Sequence, residues 1–165
     1  MPILDPNSFE FFSRSAEQTR RVGMRLGALL ERGDVLALAG DLGAGKTTFV
    51  QGLAAGWGSP DSVTSPTFVL VNVYSRPDGQ RLAHLDAYRL SGPAEAEALD
   101  LDELLSGGPL VAEWAPRIAA ALPPDRLNIR MDWIEEEHRQ IVFTAQGKRP
   151  LAILESLQTA MFGVP

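Results

Sequence analysis

Gly40-Asp41-Leu42-Gly43-Ala44-Gly45-Lys46-Thr47 is the stretch of this sequence that decides its fold. It matches the pattern G-x-x-x-x-G-K-[ST] at every fixed position and follows the apolar run 34–39, which predicts a short buried strand. Glycines in such a loop let successive backbone N–H groups converge on one anion, and the helix that begins behind them adds the partial positive charge of its N-terminus. These eight residues therefore predict a phosphate-binding loop (P-loop) between a strand and a helix.

Individual residues of the P-loop have separate chemical roles. Lys46 is expected to neutralise charge on the β- and γ-phosphates of a nucleotide, and the Thr47 hydroxyl to bind Mg²⁺. Thr48 is either a group that reaches the α-phosphate or an ordinary first-turn threonine. Lys46 and Lys148 are the two lysines among 15 basic residues, which favours a chemical need for an ammonium group at position 46. The residues predicted to contact the nucleotide here are Asp41, Leu42, Gly43, Ala44, Gly45, Lys46, Thr47 and Thr48.

Two acidic residues end apolar strands farther along the chain. Asp86 follows the run 81–85, and Glu113 follows the run 110–112. Acidic groups at the carboxyl ends of strands lie where ligands of α/β sheets bind, and a P-loop enzyme needs a carboxylate near its Mg²⁺. Asp86 is therefore the leading candidate for the carboxylate near the metal ion. The alternative is that Asp86 is only a turn residue. Glu113 could orient a water molecule, act as a base or hold Mg²⁺ through water, or it could be a solvated strand end.

Three further features accompany these acids. His84 interrupts the strand before Asp86 and is expected to be a partly buried strand residue rather than a metal ligand. Trp114 either covers the phosphates or only packs. The hydroxyl-rich segment Thr64-Ser65-Pro66-Thr67 could sense the γ-phosphate as nucleotide switches do, with Thr64, Ser65 and Thr67 as the candidate residues. A proline turn with capping hydroxyls is the alternative for this segment.

Hydrophobic periodicity places the remaining elements. A capping box at Ser15–Gln18 begins a helix that ends at Gly33, and Pro150 begins a last helix that uses Met161. The other predicted elements are a helix from Thr48 to about Ala55, strands at 67–75 and 81–86 joined by the turn 76–79, a helix at 94–105, and strands at 110–113, 127–133 and 139–145. Together they predict an α/β chain, a P-loop NTPase-like three-layer sandwich with a mixed, partly antiparallel sheet. Residues 1–165 are predicted to be a single domain, with the helix at about 150–161 at its periphery.

Composition and charge exclude several classes of protein. The 165 residues are 45% apolar and contain no cysteine, which excludes disulfides, thiolate metal sites and a cysteine nucleophile. The net charge of −6 disfavours tight, unaided binding of nucleic acid, so any connection to RNA is expected to run through a partner. No apolar run is long enough to span a membrane, and no basic residue precedes Arg14 as a signal peptide would require. The chain is therefore expected to be cytoplasmic, with no membrane attachment.

Four sequence motifs occur in an order that resembles one bacterial family. They are the P-loop continued by Thr48-Phe49, Thr64-Ser65-Pro66-Thr67-Phe68, His84-Leu85-Asp86-Ala87-Tyr88-Arg89-Leu90 and Glu113-Trp114. Together they resemble the TsaE (YjeE) family, the small ATPase of tRNA threonylcarbamoyladenosine biosynthesis, from about Ser15 to Met131. The resemblance implies a P-loop fold, binding of ATP and Mg²⁺, and slow hydrolysis of ATP. It also implies TsaD and TsaB as protein partners, which attach the threonylcarbamoyl group to the adenosine beside the anticodon, so that tRNA is reached through the complex.

The resemblance also assigns roles residue by residue. Thr47 and Glu113 resemble the family residues on the side of the site where the metal ion binds. Asp86 resembles the carboxylate on the catalytic side of the site, and Trp114 resembles a functional residue next to Glu113. The predicted catalytic residues are therefore Lys46, Asp86, Glu113 and Trp114, and the predicted Mg²⁺ ligands are Thr47, Glu113 and Asp86.

Other positions depart from the family pattern or lie at its margin. Ala115 separates Trp114 from Pro116, whereas the family has proline directly after the tryptophan, so the local turn is expected to shift. Thr19 resembles a family segment near the adenine. Arg139 is a weak candidate for a nucleotide contact, and a solvated strand charge is the preferred interpretation.

Two other functions remain open at the level of the sequence. A small-molecule kinase would need an acceptor pocket and an Arg-rich lid, for which Arg89 and Arg117 could serve although no lid insertion is evident. A nucleotide-dependent binding module would use ATP to order the segment 64–67 as a docking surface. Because the chain contains no N-K-x-D or T-K-x-D motif, ATP is favoured over GTP.

Overall fold

Seven strands form one sheet in the computed structural model, which describes residues 5–41, 43–63 and 71–163. The strands are β1 (Ser8–Ser13), β2 (Val35–Ala39), β3 (Val71–Ser75), β4 (Arg81–Asp86), β5 (Leu110–Glu113), β6 (Arg126–Glu135) and β7 (His138–Gln146). The helices are α1 (Ala16–Gly27), α2 (Lys46–Trp57), α3 (Pro93–Glu97), α4 (Leu101–Gly107) and α5 (Lys148–Phe162), and a 3₁₀ helix covers Ala115–Ala121. Among the helices of these residues, none is long and apolar enough to cross a membrane.

The sheet is parallel at its centre and antiparallel at both edges. Its strand order is β1-β7-β6-β2-β5-β4-β3. The four strands β6, β2, β5 and β4 run parallel to one another, whereas β3 pairs antiparallel with β4, and β7 and β1 continue antiparallel beyond β6. The predicted α/β fold with a mixed, partly antiparallel sheet is confirmed.

Alternate residues of the central strand β2 point into two separate cores, one on each face of the sheet. Leu36 and Leu38 pack with α1, α2 and α5 in the larger core. Val35 and Ala37 pack with α3, α4 and the 3₁₀ helix in the smaller core. The side chains of one short strand therefore join all three layers, and the loop that follows β2 is anchored from both faces of the sheet.

Helices α1 and α2 approach each other closely at glycine residues. A methyl group at Gly27 would lie 2.1 Å from the carbonyl oxygen of Leu53, and one at Gly52 would lie 2.0 Å from the carbonyl oxygen of Arg20. Both distances are far below a van der Waals contact, so any side chain at either position would push the two backbones apart. Because α2 begins at Lys46, this packing fixes the position of the P-loop helix.

Two predicted helices have different boundaries in the structure. Helix α1 ends at Gly27 rather than Gly33, because the backbone N–H groups of Leu29 and Leu30 donate to carbonyls three residues back and begin a tighter turn. The helix predicted at 94–105 divides into α3 and α4. Asp100 has a left-handed backbone there and caps α4 with its side chain, which accepts a hydrogen bond from the N–H of Glu103.

The first strand and the last helix complete the fold. Strand β1 was not predicted, and it forms the sheet edge by pairing with β7 from Ser8↔Thr144 to Ser13↔Arg139. The predicted last helix is present as α5 and buries Ile153, Leu154 and Leu157 in the larger core. The predicted strands at 81–86 and 110–113 match β4 and β5, and both predicted hairpins are present.

Candidate functional site

Parallel pairing brings the ends of three strands to one edge of the sheet. Leu38 of β2 is paired with Glu113 of β5, and Glu113 is in turn paired with Asp86 of β4. The P-loop follows β2 directly, so it emerges beside both carboxylates. The carboxyl edge of a parallel sheet is where α/β proteins bind their ligands.

The P-loop has the backbone conformation of an anion-binding turn. Gly43 and Gly45 have φ values of +81° and +93°, which are strained for any residue with a side chain. Gly45 is the N-cap of α2, a helix of 12 residues, so its first N–H groups point out of the helix without intrahelical partners. This end of α2 therefore presents backbone donors and partial positive charge to the cleft.

Lys46 is held between the P-loop and Trp114. Only 6% of Lys46 is exposed; its Nζ donates a hydrogen bond to the carbonyl oxygen of Gly40 at 2.6 Å and lies 4.0 Å from the centre of the Trp114 ring. Burial lowers the pKa of Lys46 from its ordinary value, whereas the negative charges of Glu113, Asp86 and Asp41 act to raise it. The ammonium group is thus desolvated but faces three acids.

A cleft of about 360 Å³ joins these groups. Its lining contains most of the predicted site residues, including the weak candidate Arg139, and it contains Tyr88, which was not predicted. The residues that line it are Gly43, Gly45, Lys46, Thr47, Thr48, Asp86, Tyr88, Glu113, Trp114 and Arg139. Three other predicted residues, Asp41, Ala44 and Thr19, are not among them. Leu42, Thr64, Ser65 and Thr67 lie outside the described residues.

The two carboxylates have different surroundings. Asp86 is half-buried, and its Oδ1 accepts a hydrogen bond from the Tyr88 N–H at 2.9 Å. Burial raises the pKa of Asp86, and the negative charge of Glu113 raises it further. Glu113 is only 3% exposed, and its Oε2 lies 2.5 Å from Nε2 of His84. Asp86 is therefore the more accessible carboxylate, and Glu113 is the more constrained one.

His84 is buried more completely than the sequence predicted. Its exposed fraction is 0%, and its Nδ1 lies 2.8 Å from the hydroxyl of Tyr74 on the neighbouring strand β3. Both ring nitrogens of His84 thus have side-chain partners. The sequence pattern gave no indication of Tyr74, because its contact with His84 depends on the β3–β4 pairing.

Trp114 and its neighbours form one wall of the cleft. The backbone of Trp114 is left-handed, with φ of +57°, and the 3₁₀ helix begins at the following Ala115. Its ring lies 5.0 Å from the ring of Tyr88, whose other neighbour is the Arg117 guanidinium at 5.6 Å. Tyr88 was not predicted as a site residue, although its position two residues after Asp86 was an available signal.

The two weakest sequence candidates lie in different surroundings. Arg139 is half-buried and lies beside the P-loop, where a methyl group placed on Gly45 would lie 3.4 Å from Nε of Arg139. This Nε atom is buried and has no hydrogen-bond partner. This differs from the solvated strand charge that the sequence favoured. Thr19 is 1% exposed, and its hydroxyl lies 2.7 Å from that of Ser13. Thr19 therefore joins α1 to β1, and Ser15 caps α1 as predicted.

The strand, loop and helix at this edge define a P-loop protein of the mixed-sheet α/β class. Residues 13–141 match the family model "Threonylcarbamoyl adenosine biosynthesis protein TsaE", and the chain belongs to the TsaE family. The TsaE protein of Streptomyces coelicolor is 46% identical over 79% of this chain and 92% of its own length. That of Bacillus subtilis is 43% identical over 86% of this chain and 88% of its own length. The crystal structure of Bacillus subtilis YdiB, 35% identical, superposes with a TM-score of 0.76 over 93% of this chain and 96% of that one.

Proposed function

We propose that this protein binds ATP and Mg²⁺ in the cleft, hydrolyses the ATP slowly, and thereby supports tRNA threonylcarbamoyladenosine biosynthesis together with TsaD and TsaB. The observation that carries the ATPase proposal is the convergence of Lys46 with Asp86 and Glu113 on one cleft at the start of the P-loop helix. Membership of the TsaE family supports the biosynthetic role. The net charge of −6 supports an indirect route to tRNA, and we place this route in the partner complex and in the cytoplasm.

The oxygen donors of the cleft fit Mg²⁺. Thr47, Asp86 and Glu113 offer a hydroxyl and two carboxylates, the hard ligands that this ion prefers. No group of three or more His, Cys, Asp or Glu side chains among the described residues could hold a metal ion by itself. Mg²⁺ typically takes several of its ligands from phosphates and water. When bound, the ion would supply positive charge to the phosphate oxygens.

The groups of the chain itself bind and orient the triphosphate. The N–H groups at the start of α2 donate to phosphate oxygens, and Lys46 exchanges its hydrogen bond to the Gly40 carbonyl for one to a phosphate. Asp86 and Glu113 would hold the metal ion and orient the attacking water, while Trp114 covers the Lys46 ammonium. In-line attack of water on the γ-phosphorus then releases ADP and phosphate, and the developing charge is stabilised by groups already in place.

The test measures ADP and phosphate release by the purified protein with Mg²⁺ and ATP, alone and with its own TsaB–TsaD complex. We expect slow release alone and faster release with the complex. Lys46→Ala removes the ammonium group and should abolish ATP binding or turnover. Lys148→Ala is the matched control, because Lys148 is the other lysine of the chain and is exposed at the start of α5.

The proposal is wrong if Lys46→Ala binds and turns over ATP as the wild type does. Labelled phosphate that moves from ATP to a small-molecule acceptor instead of water would identify a kinase. Partner binding that is unchanged with a non-hydrolysable ATP analogue would identify a nucleotide-dependent binding module.

A further inference from the structure

A chain of buried hydrogen bonds runs from β3 to the site carboxylate of β5. The Tyr74 hydroxyl lies 2.8 Å from Nδ1 of His84, and Nε2 of His84 lies 2.5 Å from Oε2 of Glu113. All three residues are at most 3% exposed, so they are shielded from bulk water. They lie on three adjacent strands, in the order β5-β4-β3. Tyr74 and His84 do not line the cleft, so they meet it only through Glu113.

The hydrogen bonds in this chain have a defined direction. The side chain of Asn72 is hydrogen-bonded to the Tyr74 phenol, and burial raises the pKa of Tyr74 above its ordinary value. A carboxylate oxygen accepts, so Nε2 of His84 donates to Glu113. An imidazole that has its proton on Nε2 accepts at Nδ1, so the Tyr74 hydroxyl donates to Nδ1.

This arrangement restricts the carboxylate of Glu113. One oxygen, Oε2, is engaged by His84 behind the cleft, while the residue itself lines the cleft. The ring of His84 is fully buried and held at both nitrogens, so it cannot turn away without leaving a buried polar atom unpaired. Glu113 is therefore held in one orientation before any ligand binds.

We propose that Tyr74 and His84 are positioning residues that fix the orientation of the Glu113 carboxylate toward the cleft. They act through Glu113 and touch neither nucleotide nor metal. Neither side chain has an assigned role in the proposed hydrolysis, so this inference rests on the proposed function and adds to it. Because Glu113 is also proposed to orient the attacking water, a role that follows binding of the nucleotide, the loss of either partner is expected to lower kcat more than it changes KM.

A matched pair of variants at position 84 tests the proposal. The amide of glutamine places a donor near the position of Nε2, so His84→Gln can still donate to Glu113. Asparagine places its amide near Nδ1, so His84→Asn can reach Tyr74 but not Glu113. We expect His84→Asn to lower kcat about 10-fold to 100-fold, as loss of an orienting partner typically does, with KM for ATP nearly unchanged. His84→Gln should retain kcat within about 3-fold of the wild type.

Stability is measured in parallel, because both variants alter a buried position. Equal losses of kcat in the two variants, in proportion to their losses of thermal stability, would refute a positioning role. A change in KM alone would refute it as well. Ser8→Ala is the control, because it removes the 3.0 Å hydrogen bond between Ser8 and Thr144 at the far edge of the sheet; we expect wild-type kcat.

A second measurement needs no turnover. The chain has two histidines, so ¹⁵N NMR of the histidine rings is readily assigned with a His138→Gln variant. We expect an unprotonated Nδ1 and a protonated, strongly hydrogen-bonded Nε2 in His84, and a shift of the Nδ1 resonance in Tyr74→Phe. A proton on Nδ1, or no response to Tyr74→Phe, would refute the proposal. If the wild type hydrolyses no ATP even with TsaB–TsaD, the proposed function fails, and the NMR result decides the orientation of Glu113 by itself.

Discussion

Replacing Gly52 by alanine tests the close packing that positions the P-loop helix. The new methyl group would lie 2.0 Å from the carbonyl oxygen of Arg20, 2.8 Å from its carbonyl carbon and 3.1 Å from its Cα. All three are backbone atoms of α1, so no side-chain rotation relieves the contact. Helices α1 and α2 must therefore separate by about 1 Å, which disturbs a core packed to crystal-like density.

The expected cost follows from two opposing effects. Overpacking of this kind costs about 1–3 kcal/mol, whereas alanine is favoured over glycine inside a helix by about 1 kcal/mol. If the packing cost predominates, Gly52→Ala lowers the free energy of unfolding by up to about 2 kcal/mol net. For a domain of this size the melting temperature should then fall by several degrees, at about 2–4 °C per kcal/mol.

The assay is thermal unfolding followed by circular dichroism, with Gly107→Ala as the matched control. Gly107 is the last residue of α4, and a methyl group there would meet no atom within 4 Å. Gly107→Ala should therefore leave the melting temperature unchanged or raise it slightly. The reasoning is wrong if Gly52→Ala melts above the wild-type temperature, because the packing cost would then be smaller than the helix preference of alanine and α1 and α2 would not be in close contact at this position.

Two further predictions follow from the electrostatics of the cleft. Burial, together with the negative charge of Glu113, raises the pKa of Asp86 in the folded protein above its value in the unfolded chain. At a pH above both pKa values, the ionised carboxylate therefore destabilises the fold. Asp86→Asn should accordingly melt at a higher temperature than the wild type at pH 7 but hydrolyse ATP far more slowly. The difference in melting temperature should vanish as the pH falls through the pKa of Asp86, and an equal difference at all pH values would contradict this account. Burial lowers the pKa of Lys46, so the affinity for ATP should weaken with rising pH at a lower pH than that at which free lysine loses its proton. The measurement is the Kd for ATP as a function of pH. A Kd that stays constant up to and beyond the ordinary pKa of lysine would contradict this prediction.

The features that the sequence predicted correctly are those encoded by neighbouring residues. The P-loop is a contiguous motif, and β2, β4 and β5 are short apolar runs with clear ends. Asp86 and Glu113 were selected because each ends such a run, and parallel pairing does place them side by side. The position of a residue at the end of a strand depends on its immediate neighbours in the sequence, and for that reason it could be predicted before the structure was known.

The features that the sequence did not predict depend on contacts between distant residues. Strand β1 is stabilised by pairing with β7, more than 120 residues later, and Arg139 enters the cleft because that same strand begins beside the P-loop. The hydrogen bond between Tyr74 and His84 likewise requires the β3–β4 register. The break at Asp100 was local, but its signal was weak, because a single N-cap aspartate inside an apolar periodic run also fits an uninterrupted helix.

The left-handed backbone of Trp114 has a consequence for engineering this protein. A left-handed conformation costs a residue with a side chain about 1–2 kcal/mol, and glycine avoids that cost. Trp114→Gly would relieve that cost, but it would also remove the packing of the ring against the smaller core and delete the ring that lies 4.0 Å from the Lys46 ammonium. At this position the local preference of the chain and the needs of the cleft are opposed, so screens for stability need activity as a second criterion.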